Sequence, residues 1–261
     1  MSKTILITND DGFESKGLYA LKEALENIAN VVVVAPTLEK SACGHSLTLT
    51  RPLRFIELEE NFYKLDDGTP SDCVFLSLTK LFKEKKPDLV VSGINIGANL
   101  GEDITYSGTA SAAMEAVLQG IPAIAFSQVY NKEYDNLANL DYSYAKEVAF
   151  NLVEKFFKKG LPLEDRKFLN VNIPPTKIAK KELKVTHAGR RSYGFDAEVH
   201  INPRGQEYYW IGLPKVEWHP TKNPKHDLSD IEAIANGYTS ITPIHLDMTH
   251  YESIKRVQEW L

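Results

Sequence analysis

Near its beginning the chain reads Thr4-Ile-Leu-Ile-Thr-Asn-Asp-Asp-Gly12, an apolar run that ends in two adjacent acidic residues and a glycine. The apolar residues predict a buried β-strand, and Gly12 permits a sharp turn directly after it. In open α/β sheets, ligands bind at the carboxyl ends of strands. Adjacent carboxylates repel each other unless a proton or a cation lies between them. With only oxygen-bearing neighbours, Asp10 and Asp11 predict a hard divalent cation such as Mg²⁺, Mn²⁺ or Ca²⁺.

The alternative is that Asp-Asp-Gly is only a hairpin turn, because Asp-Gly is a common turn sequence. The residues that follow argue against a hairpin. Apolar residues recur at helical spacing between residues 15 and 28, and a second apolar run occupies residues 31–35. A strand, an acidic turn, a helix and a strand form a βαβ unit, which favours a metal site over a hairpin.

This alternation continues to residue 173 and predicts the fold class. Further strands are expected at 53–58, 62–65, 88–93, 122–126 and 169–173, and helices at 72–82, 108–118 and 144–157. The pattern is typical of an α/β fold with a Rossmann-like, doubly wound, mostly parallel sheet that helices cover on both faces.

From about Lys184 the composition changes, and turn signals at residues 202–205 and 223–224 predict β-hairpins. The aromatic residues there could form a local core or an oligomer surface, and core packing is the more common outcome; they are Tyr208, Tyr209, Trp210 and Trp218. Capping-box patterns at Ser229–Glu232 and Thr249–Glu252 predict two late helices. We therefore divide the chain into a core, residues 1–183, and a C-terminal hairpin and helix extension, residues 184–261.

Composition excludes several classes of function. The net charge of −5 and the absence of a basic tract make the chain a poor candidate for binding a nucleic acid polymer. No apolar run approaches the ~18 residues that span a bilayer, and no signal peptide is recognised, so we expect a cytoplasmic protein without membrane contact. Cys43 and Cys73 lack zinc-binding spacing and are expected to be reduced thiols.

Two further residues are candidate cation ligands. Asn95 lies two residues after the predicted strand 88–93 and offers a carbonyl oxygen that adds no third negative charge. Ser41 follows the second strand and offers a hydroxyl. Neighbouring strand ends would bring both residues to Asp10 and Asp11. Taken singly, a turn role for Asn95 and a helix cap for Ser41 are the more common alternatives.

The sequence Tyr106-Ser-Gly-Thr-Ala110 opens a predicted helix. The N–H groups and the dipole of a helix start attract anions. Ser107 and Thr109 add hydroxyl donors, and Gly108 permits close approach of the backbone. The spacing is neither a Walker A motif nor GxGxxG, so a nucleoside triphosphate or a dinucleotide is not indicated. A cation that faces an anion pocket suggests a phosphate monoester.

An ordered set of motifs closely resembles the survival protein SurE family and covers nearly the whole chain as a single domain, residues 1–261. The motifs are Thr8-Asn-Asp-Asp-Gly12, Ser92-Gly-Ile-Asn95, Gly97-x-Asn-Leu-Gly101, Tyr106-Ser-Gly-Thr109, Ala112-Ala-Met-Glu115, Pro203-Arg-Gly205, Tyr209-Trp-Ile-Gly212, Gly237-Tyr238, Ser240-Ile-Thr-Pro243 and Leu246-Asp247. Departures from the family pattern are Ala98 where Pro is common and His187 where Arg is common.

The resemblance implies a metal-dependent 5′-nucleotidase that hydrolyses nucleoside 5′-monophosphates to nucleoside and phosphate, with specificity that reaches 3′-nucleotides and polyphosphate. It also implies a dimer or tetramer with exchanged C-terminal elements. The residues that match the family's metal ligands one by one are Asp10, Asp11, Ser41 and Asn95. We expect one divalent ion per subunit, Mg²⁺, Mn²⁺ or Co²⁺.

The expected mechanism is attack of a metal-activated water on the phosphate, with Asp10 and Asp11 as catalytic residues. Asp11 would either accept the proton of the water or protonate the leaving oxygen. Phosphate contacts are expected from Asn99, Ser107, Gly108 and Thr109. The rival hypothesis is a non-catalytic nucleotide sensor with the same pocket. An NAD-dependent oxidoreductase is disfavoured because GxGxxG is missing after the first strand.

Two other residues have open roles. His45 lies in the same loop as Ser41, where it could contact phosphate or base, or make a structural hydrogen bond. Asp230 precedes a predicted helix, so helix capping competes with a role in the active site.

Overall fold

The computed structural model describes residues 3–133, 135–192, 197–211, 217–219 and 228–261. Its strands are β1 (Thr4–Thr8), β2 (Asn30–Pro36), β3 (Arg54–Glu59), β4 (Phe62–Asp66), β5 (Leu89–Ile96), β6 (Ala123–Gln128), β7 (Lys167–Ile173), β8 (Leu183–Val185), β9 (Arg190–Ser192), β10 (Ala197–Ile201), β11 (Glu207–Ile211), β12 (Glu217–His219) and β13 (Thr239–His245). Its α-helices are α1 (Lys16–Leu25), α2 (Pro70–Leu76), α3 (Gly108–Leu118), α4 (Ser143–Lys159), α5 (Asp230–Ala235) and α6 (Tyr251–Trp260).

Within the described residues, nine strands form one sheet in the order β3-β4-β2-β1-β5-β6-β7-β13-β8. The six strands from β4 to β7 in this order pair in parallel, whereas β3 and β13 pair antiparallel with β4 and β7. Parallel strands need crossover helices, which cover both faces of the sheet. The predicted α/β fold with a mostly parallel, doubly wound sheet is therefore confirmed.

The two faces of the sheet have separate cores, because alternate residues of a strand point to opposite faces. Ile5 and Ile7 pack with apolar residues of α1 and α4 on one face. Leu6 points to the other face, where it packs with residues of α2 and α3. All three side chains are fully buried. The strand that carries the acidic turn is thus fixed between two helical layers.

Most predicted elements form close to their predicted positions, with two differences in the helices. The helix predicted at 72–82 begins at Pro70 and continues from α2 into a π-helical turn at Ser77–Leu81. The capping box at Ser229 is confirmed at the start of α5. The box predicted at Thr249 is wrong: α6 begins after His250 without a side-chain cap. Instead Thr249 N donates to Asp247 Oδ1 (3.0 Å), so a local turn uses this backbone group.

The extension contains the expected hairpin. β10 and β11 pair antiparallel around a turn in which Asn202 Oδ1 accepts hydrogen bonds from two backbone N–H groups. The turn predicted at residues 223–224 lies outside the described residues. From the same extension, β13 also enters the main sheet beside β7. The division at residue 183 stays a prediction.

The expectation that the hairpin aromatics form a local core is wrong for this chain. Tyr208, Tyr209 and Trp210 are 54%, 61% and 61% exposed. The hairpin forms a two-stranded sheet of its own, and a two-stranded ribbon has no interior of its own. The side chain of Trp218 lies outside the described residues. Among the described residues, no helix is long and apolar enough to cross a membrane.

Candidate metal and phosphate site

The strand order brings three predicted site segments to one edge of the sheet. β1 lies between β2 and β5 and pairs in parallel with both, so the carboxyl ends of the three strands are adjacent. Asp10 and Asp11 follow β1, Ser41 follows β2, and Asn95 lies near the end of β5. The neighbourhood expected from the alternating pattern is therefore present.

Hydrogen bonds connect the acidic turn to both neighbouring segments. Lys40 N donates to the backbone oxygen of Asp10 (2.7 Å), and Ile96 N donates to Asp11 Oδ2 (3.3 Å). Gly12 has a φ of +95°, and a Cβ added there would lie 3.3 Å from the carbonyl carbon of Leu38. Glycine thus lets the acidic turn lie against the loop that carries Ser41.

The carboxylate of Asp10 faces the first turn of α3. Thr109 Oγ1 donates a hydrogen bond to Asp10 Oδ1. A Cβ added to Gly108 would lie 2.7 Å from the Cβ of Asp10 and 2.9 Å from its Oδ2, so only glycine permits this approach. In the structure, two residues predicted to bind phosphate therefore contact Asp10, and their role toward phosphate stays a prediction. The start of a helix stabilises a carboxylate for the same reason that it attracts phosphate.

Burial makes the acidic pair hard to ionise. It raises the pKa of Asp10, although hydrogen bonds from Thr109 and Gly108 oppose the change. It also raises the pKa of Asp11 to about 7, and the charge of Asp10 adds to this effect. Two adjacent carboxylates in this environment need a proton or a cation to share the site. A hard divalent cation fits a set of donors that is entirely oxygen.

Asn95 and Ser41 differ in how they are prepared for a cation. Asn95 is buried, and its Nδ2 donates to the backbone oxygen of Gly97 (3.1 Å). No described residue donates a hydrogen bond to its Oδ1, which suits a neutral ligand. Ser41 is exposed, and its Oγ donates to Glu39 Oε1 (2.7 Å). Donation of its proton to Glu39 leaves the lone pairs of the Ser41 Oγ available to a cation. The role of Ser41 as a ligand stays a prediction.

The described side chains contain no cluster of three or more His, Cys, Asp or Glu residues arranged to hold a metal. The fit of a cation therefore rests on the carboxylates of Asp10 and Asp11 and on the amide oxygen of Asn95, a residue outside these four types. Water commonly completes the shell of a hard cation that has few protein ligands.

Asn99 is held in place by residues that the sequence analysis missed. Its N donates to Asn172 Oδ1 (2.9 Å), and its backbone oxygen accepts from Asn172 Nδ2 (3.0 Å) and Asn170 Nδ2 (2.8 Å). Its own Nδ2 donates to Ser127 Oγ (2.8 Å). Asn170 and Asn172 are fully buried in β7. Their spacing was the available signal, because two amides on one face of a buried strand need partners.

Residues 5–195 match the family model described as survival protein SurE. The chain belongs to the survival protein SurE family. It is 63% identical over 261 residues to a protein named 5′-nucleotidase SurE from Sulfurovum sp. (strain NBC37-1), covering 99% of this chain and 98% of the relative. It is 55% identical over 262 residues to 5′-nucleotidase SurE of Helicobacter hepaticus (strain ATCC 51449 / 3B1), covering 99% of each chain. The crystal structure of the SurE protein from Aquifex aeolicus superposes with a TM-score of 0.81 at 42% identity, covering 98% of this chain and 99% of that one.

Ser107 caps α3. Its Oγ accepts a hydrogen bond from Ala110 N (3.0 Å), and the residue is 5% exposed. The hydroxyl therefore has a structural partner in the first turn of the helix. Its predicted contact with phosphate stays a prediction.

Asp230 ties the loop after β5 to the extension of the SurE fold. Its carboxylate accepts hydrogen bonds from Gly101 N, Gly189 N and Ile231 N, each at 2.8 Å. Burial raises its pKa, and these three hydrogen bonds oppose the change. The capping role belongs to Ser229. Asp230 therefore joins the segment after Asn99 to the C-terminal part of the chain.

Proposed function

We propose that this chain is a divalent-metal-dependent 5′-nucleotidase that hydrolyses nucleoside 5′-monophosphates to nucleoside and phosphate. The buried Asp10–Asp11 pair beside the first turn of α3 carries the proposal, because raised pKa values mark a site that needs positive charge. The substrate class comes from the relatives, two of which are named 5′-nucleotidase SurE and match nearly the whole chain.

One divalent cation per subunit, Mg²⁺, Mn²⁺ or Co²⁺, would be held by Asp10, Asp11, Asn95 and Ser41. When bound, such an ion supplies positive charge to the phosphate and lowers the pKa of a bound water. Asp10 is kept in one orientation by Thr109, and Asp11 by the N–H of Ile96. Because both side chains are already oriented, less conformational entropy is lost when the cation binds.

The remaining residues act on the proton and on the phosphoryl oxygens. Asp11 handles the proton that must pass from the attacking water to the leaving 5′-oxygen, as acceptor or as donor. The negative charge of the phosphoryl group is met by Asn99 in the segment after β5 and by Ser107, Gly108 and Thr109 at the start of α3. The buried amides of Asn170 and Asn172 support this role by holding the peptide of Asn99.

Further parts of the proposal concern range and assembly. The resemblance to the family supports 3′-nucleotides and polyphosphate as additional substrates, and a cytoplasmic location. Self-association as a dimer or tetramer is supported by apolar residues that the extension exposes. They are Tyr208, Tyr209 and Trp210 in the hairpin and Tyr251, Ile254, Val257 and Trp260 in α6.

The test is phosphate release by chelator-stripped protein given AMP or GMP, with Mg²⁺, Mn²⁺ or Co²⁺ added back. We expect release that depends on metal, that is lost in Asp10→Asn, and that persists in the control Asp66→Asn, since Asp66 is exposed on β4. Tight nucleotide binding without phosphate release under any metal would overturn the proposal and support the rival hypothesis of a nucleotide sensor.

A further inference from the structure

The loop that carries Ser41 is long and must be held by individual contacts. It spans residues 37–53 between β2 and β3 and contains no helix or strand. Loops of this length are uncommon in compact domains unless they are functional. One backbone contact joins it to the site, from Lys40 N to the oxygen of Asp10, and another runs from Gly44 N to the oxygen of Tyr106 (3.0 Å).

Beyond residue 45 the loop is fastened to the start of α2. Thr48 N and Thr48 Oγ1 donate to the carboxylate of Asp72 at 2.9 and 2.6 Å, and Thr69 Oγ1 donates to the oxygen of Ser46 (2.8 Å). These contacts hold the far half of the loop. The half that contains Ser41 is held by the backbone contacts of Lys40 and Gly44, and one side-chain contact adds to them at residue 45.

His45 and Glu115 supply an anchor at that point. His45 Nε2 lies 2.9 Å from Glu115 Oε2, and Gln119 Nε2 donates to Glu115 Oε1 (2.8 Å). The side chain of Glu115 is 7% exposed, and its neighbours on α3 include the fully buried Ala112 and Ala116. A carboxylate in such surroundings is unfavourable unless it is paired, so His45 and Glu115 depend on each other.

Helix α3 thereby contacts the site at two points. Its first turn donates from Thr109 to Asp10, and its third turn holds His45 through Glu115. A helix is rigid over two turns, so α3 fixes the distance between Asp10 and the loop. Ser41 lies one residue after Lys40 and four residues before His45. It is therefore in the part of the loop between the Lys40–Asp10 contact and the His45–Glu115 contact.

We propose that His45 and Glu115 form a positioning pair that holds loop 37–53 so that Ser41 lies beside Asp10 and Asp11, and that this pair sets the affinity of the site for its cation. In this proposed role neither residue contacts substrate or cation. The proposal rests on the proposed function in one respect, that the site binds a divalent cation. Without the pair, Ser41 would have to be ordered when the cation binds, and that entropic cost would appear as weaker binding.

The experiment titrates Mn²⁺ into metal-free protein without nucleotide, with binding followed by calorimetry. We expect His45→Ala to weaken Mn²⁺ binding about tenfold or more, the range seen for residues that orient metal ligands. His45→Gln keeps a donor for Glu115 and should bind Mn²⁺ close to the wild-type affinity. His250→Ala is the matched control, because His250 is an exposed histidine before α6, outside the loop.

A second variant separates positioning from folding. His45→Ala leaves the buried charge of Glu115 with only the amide of Gln119 beside it and should lower the free energy of unfolding. The double variant His45→Ala/Glu115→Gln removes that charge, so its stability should recover while its Mn²⁺ affinity stays low. At saturating Mn²⁺ the kcat for AMP should stay within about threefold of wild type. The pair affects how tightly the cation binds, and that difference disappears when the site is full.

Unchanged Mn²⁺ affinity in both His45→Ala and the double variant would overturn the positioning role while leaving the nucleotidase intact. Recovery of affinity together with stability in the double variant would also overturn it, since the effect would then be a folding defect. Wild-type protein that neither binds Mn²⁺ nor releases phosphate would instead show that the proposed function itself has failed.

Discussion

In the chain without a cation, burial of Asp11 disfavours the ionised carboxylate, which is the form that a cation needs. Burial and then the charge of Asp10 raise its pKa from 3.8 to about 7, so the folded state binds this proton more tightly than the unfolded state does. Its favourable contribution to stability is complete below about pH 4 and is lost as the pH rises through about 7. A group with this behaviour favours cation binding above neutral pH at the expense of the unliganded fold.

Asp11→Asn should therefore stabilise chelator-treated protein at pH 8. The gain is up to about 4 kcal/mol in the free energy of unfolding, because each unit of pKa corresponds to about 1.4 kcal/mol. At pH 4 the difference should be much smaller, since Asp11 is then protonated in the folded state. Urea unfolding in the presence of a chelator measures both values, with Asp66→Asn as control. A gain of equal size at both pH values would contradict this explanation.

Thr109 makes a second prediction at the scale of single residues. Its hydroxyl donates to Asp10, which is 4% exposed. Thr109→Val keeps the shape of the side chain but leaves a buried carboxylate oxygen short of a donor, which should cost about 1–3 kcal/mol. Thr109→Ser retains the donor and should lose less. Thermal unfolding of both variants tests this; equal losses would indicate that packing of the methyl group matters more than the hydrogen bond.

At the scale of elements, β7 supports the site through two neutral amide side chains. Asn170 and Asn172 lie on one face of the strand, and together they satisfy both backbone groups of Asn99. The loop after β5 is held a second time at Gly101 by Asp230. The segment before α3 thus has two anchors, one from the sheet and one from the extension.

Asn172→Ala should loosen this segment. It removes two hydrogen bonds and leaves the backbone N–H of Asn99 unpaired, while Asn170 still donates to the backbone oxygen of Asn99. We therefore expect a loss of about 1–3 kcal/mol in stability. If Asn99 binds phosphate, kcat/KM for AMP should fall at least about tenfold, which corresponds to 1.4 kcal/mol. Asn236→Ala is the control, because it removes one exposed hydrogen bond. Unchanged kcat/KM in Asn172→Ala would separate β7 from the chemistry.

The elements themselves were predictable because their signals are local. Neighbouring residues alone determine the spacing of apolar residues in β1 and α1 and the glycine at the start of α3. Asn170 and Asn172 are more than seventy positions from Asn99, and Thr109 is ninety-nine positions from Asp10, so no local pattern shows these contacts. Strand order brings Ser41 to the correct edge of the sheet, but its rotamer, directed to Glu39, depends on the surrounding loop.

The two wrong predictions have the same kind of cause. At Thr249 a capping pattern was present, but Asp247 competes for the same backbone group and the helix starts later. In the hairpin, aromatic residues indicate that apolar surface will be buried, without indicating by what. A sequence pattern specifies which groups need partners, whereas the partner depends on the whole fold.

At the scale of the whole molecule, the C-terminal extension exposes apolar side chains in the β10–β11 hairpin and in α6. Soluble single chains rarely expose large continuous apolar patches, and those that exist commonly mark interfaces. Along α6 the apolar side chains at Tyr251, Ile254 and Val257 recur at three-residue spacing and are 65%, 44% and 51% exposed. This spacing places them along one side of the helix. A second copy of the chain is the occupant that our proposal of self-association supplies.

Val257→Glu should therefore shift the protein from an assembly toward the 29.3 kDa single chain. A charge in the middle of the apolar stripe would have to be buried without a partner when two copies associate, which is strongly unfavourable. Lys255→Glu is the matched control, because Lys255 lies on the same helix, is exposed, and already carries a charge. Light scattering after size exclusion gives the mass of each variant over a range of concentrations. Wild-type protein at the mass of one chain throughout that range would contradict the proposal of self-association and would require another occupant for the exposed face of α6. An assembly that both variants preserve would indicate a contact in the hairpin, where Tyr209→Glu is the corresponding substitution, since Tyr209 is 61% exposed there.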